Sequence, residues 1–98
     1  MYSIVTTEEF DAWMNKLKDR RGKARILARV RSAELGNLGD FTSVGGGISE
    51  MRVHYGPGYR LYFTRKGRQI VILLLGGDKA SQKQDIERAM RMKAEIEE

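Results

Sequence analysis

The sequence predicts a small α+β domain, and three observations carry the prediction. Apolar residues recur at helical spacing in the first third and the last fifth of the chain, and three strand-like runs follow one another across very short turns. The length, 98 residues, leaves room for one modest core. The predicted order is β-α-α-β-β-β-α over residues 1–98: a single domain with a twisted, mainly antiparallel sheet packed on helices.

Residues 1–5 lean toward a strand. Thr6-Thr7-Glu8-Glu9 then opens a helix, with a threonine N-cap and carboxylates in the first turn, where they complement the helix dipole. Phe10, Trp13, Met14 and Leu17 fall at i, i+3, i+4 and i+7 on one face, and this helix is expected to end near Arg20. Gly22 reads as the break before a second helix, which resumes the spacing with Ile26, Leu27, Val30 and Ala33 and stops at Leu35-Gly36. The two are expected to form an antiparallel hairpin. Residues 37–47 carry Gly39, Gly45, Gly46 and Gly47 beside Asn37, Asp40 and Ser43, and read as an irregular loop.

Strands are expected over residues 48–55, 59–65 and 69–75. Gly56-Pro57-Gly58 and Lys66-Gly67-Arg68 join them, which implies an antiparallel meander. The third run is apolar on both faces, as in a strand near the sheet centre. Ser81 can cap a last helix over about residues 82–95, with Ile86, Ala89, Met90 and Ile96 on its apolar side.

Composition narrows the function classes. The chain has no cysteine and one histidine, which argues against a disulfide framework, a cysteine nucleophile and a classical zinc site. The longest apolar run is the six residues 70–75, far short of the roughly 18 of a membrane span. No basic-then-apolar signal pattern opens the sequence, so the cytoplasm is the default compartment. Eighteen Lys and Arg against thirteen Asp and Glu give a net charge of +5, which favours an acidic partner such as nucleic acid.

Strand alternation sorts the meander into two faces. Met51, Val53, Tyr55, Tyr59, Leu61 and Phe63 are expected in the core, and Glu50, Arg52, His54, Arg60, Tyr62 and Thr64 on the other side. No acidic residue occurs from Met51 to Gly77, while Arg52, Arg60, Arg65, Lys66 and Arg68 are basic. Arginine's planar fork suits phosphate, and tyrosine or histidine can stack on an unpaired base, so this face fits single-stranded RNA. The alternative is an ordinary solvated face of an antiparallel sheet. A second basic run, including Lys23 and Arg25, lies on the helices and could track a nucleic-acid backbone or simply be solvated. His54 has the right unperturbed pKa for a general base, but no nucleophile or orienting carboxylate is paired with it by sequence. Gly76-Gly77-Asp78-Lys79 lacks the spacing of a P-loop; Lys79 nonetheless sits at a helix start, where a phosphate could be held.

Ile48-Ser-Glu-Met-Arg-Val, Gly58-Tyr-Arg-Leu-Tyr-Phe, Leu73-Leu-Leu-Gly-Gly-Asp-Lys, then Gln82, Asp85-Ile86 and Ala89 resemble, in order and with short gaps, the RelE/ParE toxin superfamily. The resemblance covers essentially the whole chain and points to the addiction module killer branch, related to HigB toxins of type II toxin-antitoxin systems. It implies a RelE-like fold and a toxin that inhibits translation by cleaving mRNA on the ribosome. It also implies that neither metal nor other cofactor takes part, the RNA 2′-OH attacking its own adjacent phosphate. A cognate antitoxin, commonly a helix-turn-helix DNA-binding protein, would neutralise it in a toxin-antitoxin hetero-oligomer. Under that resemblance Arg60 stabilises the phosphate, Arg52 orients it or shares its charge, and Lys79 adds positive charge. Relatives place a tyrosine or histidine in the C-terminal segment, where this chain has Gln82 and Asp85, so Lys79, His54 and Asp85 all stand as acid/base candidates. Tyr62, Arg65, Lys66, Arg68, Gln82, Lys23 and Arg25 are the RNA-contact candidates. The ParE branch inhibits DNA gyrase instead, and a catalytically weak nucleic-acid or antitoxin-binding module is the third alternative.

Overall fold

The computed structural model describes residues 1–97 and contains five strands and three helices. In chain order these are β1 (Ser3–Thr6), α1 (Glu8–Lys16), α2 (Arg20–Glu34), β2 (Phe41–Gly45), β3 (Ile48–Val53), β4 (Tyr59–Lys66), β5 (Ile70–Gly77) and α3 (Gln82–Glu97). A 3-10 turn at Lys79–Ser81 leads into α3. The sheet runs β1-β5-β4-β3-β2, with β1 parallel to β5 and every other pairing antiparallel. The fold class is the one the sequence predicts, with one strand added.

That strand is β2, within the segment expected to be an irregular loop. Glycine content hides its alternation: Thr42 and Val44 are half-buried, while Phe41, Ser43 and Gly45 are exposed along the sheet edge. Gly46 and Gly47 make the turn to β3 at φ of 61° and 77°. The turn also lies tight under α3, since a Cβ on Gly47 would fall 2.8 Å from Lys93 Cε.

Thr7 caps α1, its Oγ1 accepting the Phe10 N–H at 3.0 Å and donating to the Leu74 carbonyl at 2.6 Å. The helix ends at Lys16, short of Arg20, because Asp19 starts α2 by accepting the Gly22 N–H at 3.0 Å. Gly22 is therefore no break; it is buried in the first turn of α2, where a Cβ would come within 2.6 Å of the Tyr59 ring. The two helices are not a self-contained hairpin: α1 lies on β5, and α2 on β1 and β3.

Helices cover both faces of the sheet. Under α1 and α2, Phe10, Ile26 and Ala33 meet Met51, Val53, Leu61, Phe63, Val71 and Leu73. Under α3, Ala89 and Met92 meet Ile48, Tyr62, Ile72, Leu74 and Leu75. Each fully buried Leu, Ile or Phe contributes roughly 1.5–3 kcal/mol. The inward stripe of α3 is Ile86, Ala89 and Met92, whereas Met90 and Ile96, expected inside, are exposed. Leu27 on α2 is likewise exposed.

A bulge on β5 sets the geometry of one sheet end. Tyr62 pairs with Leu75 and Phe63 with Leu73, so Leu74 is the extra residue and the alternation reverses after it. Gly76 consequently meets the Trp13 indole, where a Cβ would lie 2.3 Å away. Gly77 meets Asp85 of α3, and a Cβ there would lie 1.9 Å from Oδ2.

Candidate functional site

Arg52 and Arg60 are direct cross-strand partners at one end of β3 and β4, and Arg60 also pairs with Gly77 of β5. Two like charges placed opposite each other repel unless something intervenes. Here it is Glu50, two residues before Arg52 on the same face and entirely buried. Its Oε1 accepts from Arg60 Nε at 2.7 Å and from Arg52 Nε at 3.2 Å, and its Oε2 accepts from Gln82 Nε2 at 2.8 Å. Arg60 Nη1 also donates to the Gly58 carbonyl at 2.9 Å. The Arg60 side chain is 13% exposed and that of Arg52 40%.

Lys79 joins the pair from the turn after β5. A Cβ on Gly58 would lie 3.2 Å from Arg60 Nη1 and 3.4 Å from Lys79 Cβ, so the Arg60 guanidinium and the base of the Lys79 side chain flank one backbone position. The helix start beside Lys79 is not left open: Asp78 accepts the Ser81 N–H at 3.2 Å, closing a capping box. Asp85, one turn into α3, accepts from Ser81 Oγ at 2.5 Å and lies against Gly77. Burial pushes the Asp85 carboxyl above its ordinary pKa, against the opposing Ser81 hydrogen bond. Glu50 thus holds Arg52, Arg60 and Gln82, and Lys79 and Asp85 lie against Gly58 and Gly77 at the same sheet end.

Other candidates fall elsewhere. Tyr62, expected on the exposed face, is wholly buried beneath α3, and its hydroxyl has no hydrogen-bond partner among the described residues. Burial first, then the nearby Glu50 and Asp85 charges, raise the Tyr62 phenol above its usual range. Its ring offers no surface for a base. Thr64 is buried too, donating to the Gly47 carbonyl at 2.9 Å. His54 leaves the Arg52 face because β3 ends at Val53; it sits with Arg25, Ala28 and Arg29 on the α2 side. The carboxylate missing from its sequence neighbourhood is Asp40, whose Oδ2 lies 2.5 Å from Nε2. Arg25 rests over the Tyr55 ring, 4.9 Å from its centroid, and Lys23 is half-buried in the first turn of α2.

Arg65, Lys66 and Arg68 are exposed at the far end of β4. Six residues separate Arg60 from Lys66, about 20 Å along a strand. The sheet is therefore not one continuous basic face: α3 covers its middle, and the sequence's acid-free stretch begins one residue after its buried carboxylate. Glu50 is the site residue that sequence reasoning missed, although alternation put it beside Arg52.

Chemically, the Glu50-centred end offers two guanidinium groups held at strand ends and an exposed lysine in the turn beside them, which suits a phosphate. No cluster of His, Asp and Glu suited to a metal ion occurs among the described residues. No helix is long and apolar enough to cross a membrane among them either.

A family model described as phage derived protein Gp49-like (DUF891) matches residues 9–95. An uncharacterized protein of Haemophilus influenzae is 46% identical over 93 residues, which cover 95% of this chain and 94% of that protein. The whole of the Glu50-centred cluster lies inside both matched spans in length.

Proposed function

We propose, on the premise that the chain belongs to the phage-derived Gp49-like (DUF891) family, that it is a toxin which cuts mRNA on the ribosome and is held inactive by an antitoxin. The family is one of toxin-antitoxin toxins of the RelE and HigB kind. What supports the endonuclease reading is that Arg52 and Arg60 lie side by side at one sheet end, with Lys79 in the turn beside them.

In the proposed reaction the RNA 2′-oxygen forms a bond to the adjacent phosphorus and the bond from phosphorus to the 5′-oxygen breaks. Negative charge grows on the non-bridging oxygens, where Arg60 and Arg52 donate hydrogen bonds that are stronger in the transition state than in the ground state. Lys79 adds charge from the side. The 2′-OH proton must be accepted and the 5′-oxygen must receive one. Asp85 and Lys79 flank Arg60, whereas His54 lies on the α2 side, so the first two are the better placed for these transfers. The basic chain, at +5, suits both the RNA and an acidic antitoxin segment.

Glu50's hold on both arginines and the burial of Tyr62 favour a second reading, a binding module with little catalysis. The test is expression of the chain with mapping of new transcript 5′ ends, beside Arg52→Ala, whose half-exposed side chain leaves the fold least disturbed. Discrete cuts that fall by about 100-fold in the variant support the endonuclease. Growth arrest with intact mRNA and broken DNA points instead to gyrase, and tight partner binding without toxicity points to the binding module.

A further inference from the structure

Among the described residues Glu50 is the buried carboxylate that touches both arginines of the site, and the way it touches them is specific. It takes Arg52 and Arg60 by their Nε–H groups alone, at 3.2 and 2.7 Å. Its second oxygen is engaged by Gln82. Both oxygens are therefore occupied by donors, and the group is enclosed by protein, which leaves it no access to an RNA hydroxyl.

An arginine presents five N–H donors, and a phosphate is best met by two of them in parallel. Holding Nε consumes the donor nearest the stem and leaves the Nη groups for other acceptors. Arg60 spends one further donor on the Gly58 carbonyl, and no hydrogen bond engages the Nη groups of Arg52 among the described residues. We infer that Glu50 is a positioning residue: it locks the two guanidinium planes so that their Nη edges converge on a single phosphodiester. The inference rests on the endonuclease reading for its catalytic consequence, and on the hydrogen-bond geometry for the orientation itself.

Positioning and simple electrostatics predict opposite outcomes for Glu50→Gln. Removing a negative charge beside two arginines strengthens attraction for RNA, so a carboxylate without an orienting role would leave cleavage unchanged or faster. An orienting carboxylate gives a different split: binding holds or tightens, while the chemical step slows by about 100-fold, the typical consequence of misplacing a reacting group by an ångström. The amide keeps one oxygen for the two guanidinium groups but loses the charge that strengthens their hydrogen bonds, and it turns an NH2 group toward Gln82, so the hold on both Nε–H groups is weakened.

The experiment is single-turnover cleavage of mRNA on programmed ribosomes by the full chain and by Glu50→Gln, with half-saturating concentration and maximal rate fitted separately. The Arg Nε–H resonances of both proteins are recorded by NMR. An unchanged half-saturating concentration, an approximately 100-fold lower maximal rate and loss of at least one slowly exchanging Nε–H establish the role. An unchanged maximal rate overturns it. If the unmodified chain cuts nothing, the endonuclease reading fails by itself; loss of the Nε–H protection in the variant then still upholds the orienting role, and retained protection overturns that as well. Should thermal unfolding show that Glu50→Gln does not fold, Glu50→Asp, which keeps the charge and withdraws it by one carbon, is read by the same criteria.

Discussion

Two groups of cations stand at opposite ends of β4 and look alike in the sequence, but they are built differently. At the β4 start, Arg60 and its neighbour Arg52 are braced by a buried carboxylate, a glutamine from α3 and a backbone carbonyl. At its far end Lys66 and Arg68 are exposed on the hairpin, and Arg65 leans over the Phe41 and Tyr2 rings, 5.3 and 5.8 Å from their centroids. Charge count does not distinguish them; fixed orientation does, and it is fixed donors that can stabilise a transition state.

The sharpest way to break the comparison is Arg60→Ala. It leaves the Glu50 carboxylate buried without its shorter ion pair, so urea denaturation is expected to show a loss of about 3–5 kcal/mol. Next is Gly77→Ala, whose methyl group must displace the Asp85 carboxyl. About 1–3 kcal/mol of stability is expected to go with it by the same measurement, by the usual cost of overpacking.

A smaller, pH-dependent effect tests the support from the opposite face. Asp19 is held below the ordinary carboxylate range by the Gly22 N–H first and the Tyr59 hydroxyl, at 2.7 Å, second. Tyr59 precedes Arg60 and is itself pushed up to about 12 by burial and by Asp19. A carboxyl with a depressed folded pKa adds stability above its unfolded value, near about pH 4, and loses it as pH falls through the folded value. Melting of Asp19→Asn beside the unmodified chain is expected to show a deficit at neutral pH that closes on acidification. Asp85 has the opposite sign, since its raised pKa costs stability as pH rises through the interval above its unfolded value.

The smallest effect on the fold is expected at the open end. Replacing Arg65, Lys66 and Arg68 together by alanine should change stability by no more than about 0.5 kcal/mol. Affinity for single-stranded RNA should fall uniformly across sequences, with the slope of log affinity against log salt shallower by about 2. An equal effect of this triple variant on the maximal cleavage rate would erase the distinction between the two ends.

Most of the architecture was legible because it rests on periodicity. Phe10, Ile26 and Ala33 at helical spacing, and Met51, Leu61 and Phe63 in alternation, meet in the core under α1 and α2 as expected. What escaped depends on which residues the second face receives, and that is a tertiary matter. Tyr62 and Thr64 alternate as solvent-facing residues do, and become buried only because α3 folds back over them. Glu50 carries the composition signal of a surface residue; its burial follows from three donors arriving from Arg52, Arg60 and Gln82, the last of them 32 positions away. The β2 strand was masked by glycines needed for the turn that follows it, and His54 found its carboxylate partner in Asp40, 14 residues back in a segment read as loop.

The extra residue at Leu74 carries a consequence for how such chains can vary. Were β5 to run through Leu74 in strict even-odd order, without the bulge, Gly76 would turn toward the α3 layer and Gly77 into the Trp13 indole. Lys79 would then emerge half a pleat out of step with Arg60, whatever its side chain. The bulge between the partner of Phe63 and the helix start thus governs the position of the cation as firmly as its chemical identity does.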